Sequence, residues 1–343
     1  MPKEDGMIKR IFLLLLLIFV TLQSDEYIED DGYRLGEGVQ LGSLPLYVGG
    51  YFSMDYQNRD EASRYRVDDI ALLAYGGYEN FSYLGELEFK EFYAYSIYEN
   101  GDTQIDKDTS LHLERLFLDY SFNENYRLRA GKYNSPIGFW NLLPINVLRD
   151  TSSNPISTEI IFPKFTTGVE ATYVNYSDSE LQVDLLMQYN DDVDPSYNNY
   201  EMDEHFGLGI TYVKEDISFK LNLGMFDNYV TDNLTKRLYY ALASFKYEAE
   251  DYQIMSEVGT QSSRDAFTTK YAGYLQGVYH FTEKHAAIGR VESYDDALID
   301  KQDEIAIFGY TYRPLYPVAL KAEYQFHSLE KENQFLFSFS VLF

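Results

Sequence analysis

One property restricts this chain more than any other. From Leu46 to Phe343 it alternates apolar and polar side chains with a period of two. In 181–189, Leu181, Val183, Leu185, Met187 and Tyr189 alternate with Gln182, Asp184, Leu186 and Gln188. Runs 217–225 (Ile217 to Met225) and 318–326 (Val318 to Phe326) behave alike, and 335–343 places Phe335, Phe337, Phe339, Val341 and Phe343 on one side. Such alternation is the signature of strands whose two faces meet different surroundings. It predicts about sixteen strands, near 45–56, 66–76, 81–95, 109–120, 126–133, 165–176, 180–190, 204–214, 216–226, 237–248, 251–260, 270–281, 285–294, 303–312, 317–327 and 334–343. The stretch 111–119 does not phase, because Glu114 and Arg115 are adjacent, and a bulge is expected there.

The connections alternate as well. Seven short ones fall near 77–80, 123–125, 177–179, 214–216, 248–250, 282–284 and 313–316. Eight long ones fall near 57–65, 96–108, 134–164, 191–203, 227–236, 261–269, 295–302 and 328–333. A sandwich of two sheets, as in a soluble secreted β-protein, also alternates along its strands but has no need for this loop pattern. A membrane barrel has it: short turns at one rim, long loops at the other, and an even strand number. Lipid cannot satisfy a bare strand edge, so the sheet must close. The fold class expected is therefore all-β, a transmembrane antiparallel β-barrel of about 16 strands over 45–343, with tyrosines such as Tyr47, Tyr120, Tyr189 and Tyr279 at the membrane boundary.

Sixteen strands leave an aqueous bore that must be narrowed to discriminate. The 134–164 connection suits that task. It has 31 residues, holds Pro136, Pro144, Pro155 and Pro163, and is rich in apolar side chains such as Ile137, Trp140, Ile145 and Phe162. It is too apolar for disorder and must pack on something. Folding inward after the fifth strand is the economical expectation; an outward subunit contact is the alternative.

The N-terminus carries Lys9 and Arg10, then the apolar run Ile11 to Val20, then Thr21 to Ser24. Ten apolar residues are too few to span a bilayer as a helix, which needs roughly 20, and match an export signal. Residues 1–24 are read as a signal peptide cleaved near Ser24, and 25–44 as an acidic, Gly-containing N-terminal tail. Met7 is an alternative start. Cleavage removes three cations and two anions, taking the formal charge from −27 to −28. That acidity argues against nucleic-acid binding. The chain has no cysteine, so disulfides and thiolate metal sites are excluded. No cofactor is implied.

The signal, the terminal Phe343 and the long loop after the fifth strand resemble the sixteen-stranded porins of Gram-negative outer membranes. The runs LRAGKYNSPIGFWN (128–141) and YRPLYPVALKAEYQF (312–326) are similar to the broader family that includes the phosphate-selective porins. The resemblance covers about 45–343. It implies passive diffusion of ions and small hydrophilic solutes, often through homotrimers, with basic residues at the constriction. It also implies an outer-membrane setting of lipid and lipopolysaccharide, and recognition of the terminal Phe by the barrel assembly machinery. Phosphate specificity does not carry over, because the inward-phased charges are mixed: Lys220, Arg237, Lys246, Arg290 and Lys321 against Glu170, Asp184, Glu257, Glu292 and Glu323.

The candidate selectivity residues follow from phase. Arg127 and Arg129 share the inward face, since Leu128 and Ala130 take the other. The inward loop brings Lys132, Arg149 and Lys164 near, while Asp150 and Glu159 are candidates to face the arginines across the pore. A basic cluster in a narrowing attracts anions; the alternative is that these arginines pair with lumen acids and brace the wall. The acidic 191–204 segment lacks the D-x-[DN]-x-[DN]-G spacing of a calcium loop and reads as a solvated outer loop. The five histidines are scattered, and no nucleophile elbow, phosphate loop or H-E-x-x-H pattern is present, so catalysis is not expected. A structural or adhesin barrel acting through its outer loops is the competing reading; it predicts a plugged lumen.

Overall fold

The computed structural model describes residues 33–59, 62–231, 234–298, 300–329 and 332–343. The expected signal peptide lies outside them. Sixteen antiparallel strands make up the wall: β1 (Leu46–Arg59), β2 (Ala62–Tyr78), β3 (Phe81–Tyr98), β4 (His112–Ser121), β5 (Tyr126–Asn134), β6 (Phe165–Tyr176), β7 (Glu180–Tyr189) and β8 (Met202–Lys214) come first. They are followed by β9 (Ile217–Thr231), β10 (Leu234–Glu248), β11 (Tyr252–Ser263), β12 (Phe267–Thr282), β13 (His285–Asp296), β14 (Lys301–Tyr312), β15 (Val318–His327) and β16 (Gln334–Leu342). Each strand pairs with its sequence neighbour, and β16 pairs with β1 from Gln334↔Arg59 to Leu342↔Tyr51. The sheet is a closed barrel. Of the N-terminal tail, Gly38–Gln40 forms a short strand against Tyr47 and Val48 of β1.

Side-chain phase places the surfaces as the alternation requires. On β7, Leu185 and Met187 are more than half exposed on the outside, at 56% and 53%, while Asp184 and Gln188 are buried in the lumen. Leu116, Leu118, Leu221, Leu275, Val291 and Phe308 continue the outer apolar surface. This face suits lipid; the polar face suits water.

Four expectations about connections change. Near 57–65, 227–236, 261–269 and 295–302 the sequence reads as long loops, yet the ladder continues to Arg59↔Ala62, Thr231↔Leu234, Ser262↔Phe267 and Asp296↔Lys301. A hairpin satisfies its own backbone wherever it is, so polar strands extend beyond the apolar band without breaking the ladder. The long excursions that remain are 99–111, 135–164 and 190–201. The bulge falls where the phase slips: register passes from Glu86↔Arg115 to Leu87↔Leu113, leaving Glu114 without an opposite residue. The wall is uneven. Strands β2 and β3 have 17 and 18 residues, whereas β4 and β5 have 10 and 9.

Candidate functional site

The 135–164 segment folds into the lumen. Its apolar side chains seat it in three places. Ile137, Ile161 and Phe162 pack with Phe226, Leu238, Tyr240 and Leu242. Trp140 packs with Met255 and Tyr274. Ile145 and Val147 reach Tyr51, Leu73 and Ala319. Each such side chain, fully buried, contributes roughly 1.5–3 kcal/mol. The five-residue helix α1 (Ile156–Ile160) lies on the wall between them.

Polar anchoring completes the seat, and here the mixed wall charges find their use. Wall cations cap loop carbonyls. Lys321 Nζ donates to Asn146 O (2.5 Å), Arg313 Nη2 to Arg149 O (2.8 Å), and Arg290 Nη1 to Ser153 O (3.1 Å). Wall anions receive loop amides. Glu257 accepts from the Phe139 and Trp140 N–H groups, Glu323 from those of Ser152 and Ser153, and Glu292 from that of Ile156 (2.8 Å). Irregular backbone at membrane depth needs this satisfaction, since it has no ladder of its own. Gly138 shows how closely the loop approaches: at φ +69°, a Cβ there would stand 2.5 Å from Glu257 Oε1.

The residues singled out from sequence fall into four groups. Arg127 and Arg129 do line the inner face, paired along the wall. Arg129 makes a two-pronged contact to Asp119 (2.7 and 2.9 Å), with Glu170 at 3.9 Å, and Arg127 is 3.6 Å from Glu170. Their partners are wall acids, instead of Glu159 or Asp150 across the pore. Lys132 is drawn away from the lumen group. Its Nζ donates to the Val193 and Asp194 carbonyls and is 3.6 Å from Asp192. Arg149, Glu159 and Lys164 stay together on the loop. Lys164 Nζ is 2.6 Å from Glu159 Oε2, and both Arg149 Nη1 and Asn154 Nδ2 tie into the same corner through Asn154 Oδ1 (2.6 Å) and Glu159 Oε1 (2.9 Å). Asp150 pairs with Arg313 at 3.6 Å.

Burial lowers the Arg149 pKa, while Asp69, Glu159 and Glu114 oppose that shift. Burial likewise lowers the Lys164 pKa, opposed by Glu159 and reinforced by the like charges of Lys90 and Arg149. The loop edge therefore shares an electrostatic neighbourhood with Lys90 of β3 and with the acids Asp69 and Glu114 of β2 and β4. Sequence reasoning missed that facing wall. It missed the second inward element too. The 190–201 segment is not a solvated outer loop: it doubles back over the low wall of β4–β6. Asp194 accepts from the Leu113 N–H (2.9 Å), Thr167 Oγ1 donates to Asp192, and the Tyr197 hydroxyl reaches Glu88 and Glu114.

A closed sixteen-stranded barrel with a loop seated across its lumen defines a membrane channel of the porin class. The chain belongs to the family described as putative beta-barrel porin-2, OmpL-like, whose model matches residues 57–340. It is an outer-membrane porin, a water-filled barrel for passive diffusion of ions and small hydrophilic solutes, narrowed by the 134–164 loop. Solved structures with the same fold include the outer membrane channel DcaP of Acinetobacter baumannii (12% identity, 87% of this chain and 97% of that one, TM-score 0.56). An anion-selective porin from Comamonas acidovorans aligns at 11% identity over 87% and 99% of the two chains (TM-score 0.61). OmpT of Vibrio cholerae aligns at 10% identity over 88% and 99% (TM-score 0.60). No curated protein matches the sequence.

Proposed function

We propose that solutes pass between two edges: Arg149, Glu159 and Lys164 on the seated loop, and Asp69, Glu86, Glu88, Lys90, Glu114 and Arg115 on the β2–β4 wall. The observation that carries this reading is the seating of the 135–164 loop in the lumen, which brings Arg149 into the electrostatic neighbourhood of Asp69 and Glu114. Opposite charges on the two edges create a transverse field, which favours dipolar solutes over apolar ones. The group holds four cations against five anions, a formal charge of −1. With the wall arginines Arg127 and Arg129 already paired, weak cation preference follows. Arg127 and Arg129 brace the wall, and Lys132 pins the 190–201 segment. Export with cleavage near Ser24, recognition of Phe343 by the assembly machinery, contact with lipopolysaccharide, a homotrimer and the absence of catalysis belong to the same proposal.

The test is conductance of the purified protein in planar bilayers, with reversal potential in a salt gradient. Stable open steps with a small cation-selective potential support the reading. A strongly anion-selective potential overturns the charge assignment. Silence from a correctly folded barrel replaces the diffusion channel with a structural or adhesin barrel.

A further inference from the structure

The bulge in β4 has a chemical result. By displacing Glu114 it brings three carboxylates together, from Glu86 and Glu88 on β3 and Glu114 on β4, all buried. One oxygen from each lies within 4.8 Å of the others. Glu86 Oε2 accepts from Arg115 Nε. Tyr51 Oη lies 3.0 Å from both Glu88 Oε2 and Glu114 Oε2, and Tyr197 Oη reaches the same two oxygens. Each phenol has one proton, so each can serve only one carboxylate at a time. Glu86 Oε1 and Glu88 Oε1 are buried and receive no hydrogen bond from a neutral or cationic donor, and the Asp69 carboxyl crowds Glu88 as well.

The charges around the cluster do not balance. Among the described residues Arg115 is the one cation bonded to it; three carboxylates against it leave a formal charge of −2. Asp69 and Lys90, which flank the group, cancel each other: Asp69 bonds Ser53, and Lys90 Nζ stands 4.9 Å from the Tyr197 ring. Carboxylate oxygens so close, buried and incompletely paired must acquire positive charge, as a proton or as a cation. The donor set is all oxygen, carboxylate and phenol, with no nitrogen or sulfur ligand, which is the preference of a hard divalent cation.

We propose that Glu86, Glu88 and Glu114 bind one divalent cation of the Ca²⁺ type, entered through the lumen. Glu86 Oε1 and Glu88 Oε1 are the ligands that the protein leaves free for it, and Glu114 supplies the third carboxylate. Tyr197 ties the site to the 190–201 segment, so occupancy clamps that segment onto the low wall. A second consequence rests on the proposed constriction: adding two positive charges takes its formal charge from −1 to +1, so the cation reverses the sign of the pore's weak selectivity.

The experiment uses the full-length folded barrel in detergent, stripped with EDTA, titrated with CaCl₂ by calorimetry. One site per barrel is expected. Glu88→Gln and Glu114→Gln should each weaken it by at least about tenfold, whereas Asp106→Asn together with Asp108→Asn, in the exposed 99–111 segment, should not. Heat-modifiable gel migration identifies variants that have not folded, and Tyr197→Phe, which keeps all three carboxylates, serves if they have not. Retained binding in Tyr197→Phe with faster proteolysis at 190–201 supports the clamp. No saturable site in the folded wild-type protein, or a site unaffected by Glu88→Gln, overturns the proposal and leaves shared protons as the source of positive charge. In planar bilayers, a reversal potential that changes sign between EDTA and Ca²⁺ supports the second consequence. Calorimetric binding without that change refutes the constriction assignment and leaves the cation site standing.

Discussion

Arg290 offers the sharpest test of how the loop is held. Its side chain is fully buried on β13, pairs with Glu292 at 2.7 Å, donates to Thr151 Oγ1 and Ser153 O, and lies 5.5 Å from the Trp140 ring. Arg290→Met keeps much of the volume and removes every one of those contacts. It strands Glu292 as a buried anion and takes from the Ser153 carbonyl one of its two donors, leaving only Thr151 Oγ1 at 3.1 Å. Breaking one side of a buried pair costs about 3–5 kcal/mol. At 1.4 kcal/mol per tenfold, the ratio of seated to unseated loop falls by roughly two to three and a half orders of magnitude. The chain provides its own reporter, because Trp140 is its single tryptophan. Fluorescence of the folded variant should shift to the red and become accessible to acrylamide, and single-channel steps should become larger and noisier. The double variant Arg290→Met/Glu292→Met, which has no stranded charge, should recover much of the seat. An Arg290→Met barrel with unchanged emission, quenching and conductance would refute the anchoring argument.

Three further outcomes follow from the same geometry. Gly138→Ala forces a Cβ onto Glu257 in a left-handed backbone and should destabilise the loop entrance by more than about 1 kcal/mol, read by the same Trp140 emission in urea. Lys132→Met strands the buried Asp192 and should cost about 3–5 kcal/mol locally, seen as proteolysis within 190–201 at protease levels that spare the wild type. Glu159 is pushed up by burial but pulled further down by Lys164 and Asn154, so its folded pKa is depressed. Its stabilising contribution is complete above the ordinary carboxylate value near 4.3 and is lost as pH falls through the folded value. Acid titration should therefore release the α1 corner in the wild type, and Glu159→Gln should remove that pH dependence.

The wall was legible because lipid imposes a rule that every strand must obey. Leu185 and Met187 read correctly because nothing but phase decides their face. The bulge at Glu114 was legible for the same reason: a break in phase has few physical causes. The inward turn of 135–164 showed in its apolar content, since Trp140 and Phe162 need a surface. The partners of that loop did not show. Yet a signal existed: Arg290 with Glu292, and Lys321 with Glu323, are opposite charges two apart on the inner face of alternate strands. Such pairs offer a donor and an acceptor to a passing backbone. The 190–201 segment could not be read, because its polar composition suits water as well as a low wall. Its contacts to Lys132, Leu113 and Glu88 lie more than 50 residues away in sequence. The arginines at 127 and 129 were placed on the correct face, but face alone does not name a partner.

The joint between β16 and β1 has a consequence for assembly. Every other strand pair joins sequence neighbours, so each can zip from its own connection. The joint instead brings together Gly50 and Phe343, 293 positions apart, whose backbones bond at 2.7 and 2.8 Å. Holding such distant segments costs about 5 kcal/mol in closure entropy, which nine paired positions must offset. Until they engage, the sheet is a curved ribbon with two unpaired edges, which bare hydrocarbon does not tolerate. A weakened joint should therefore lengthen the time for which both edges stay open during refolding.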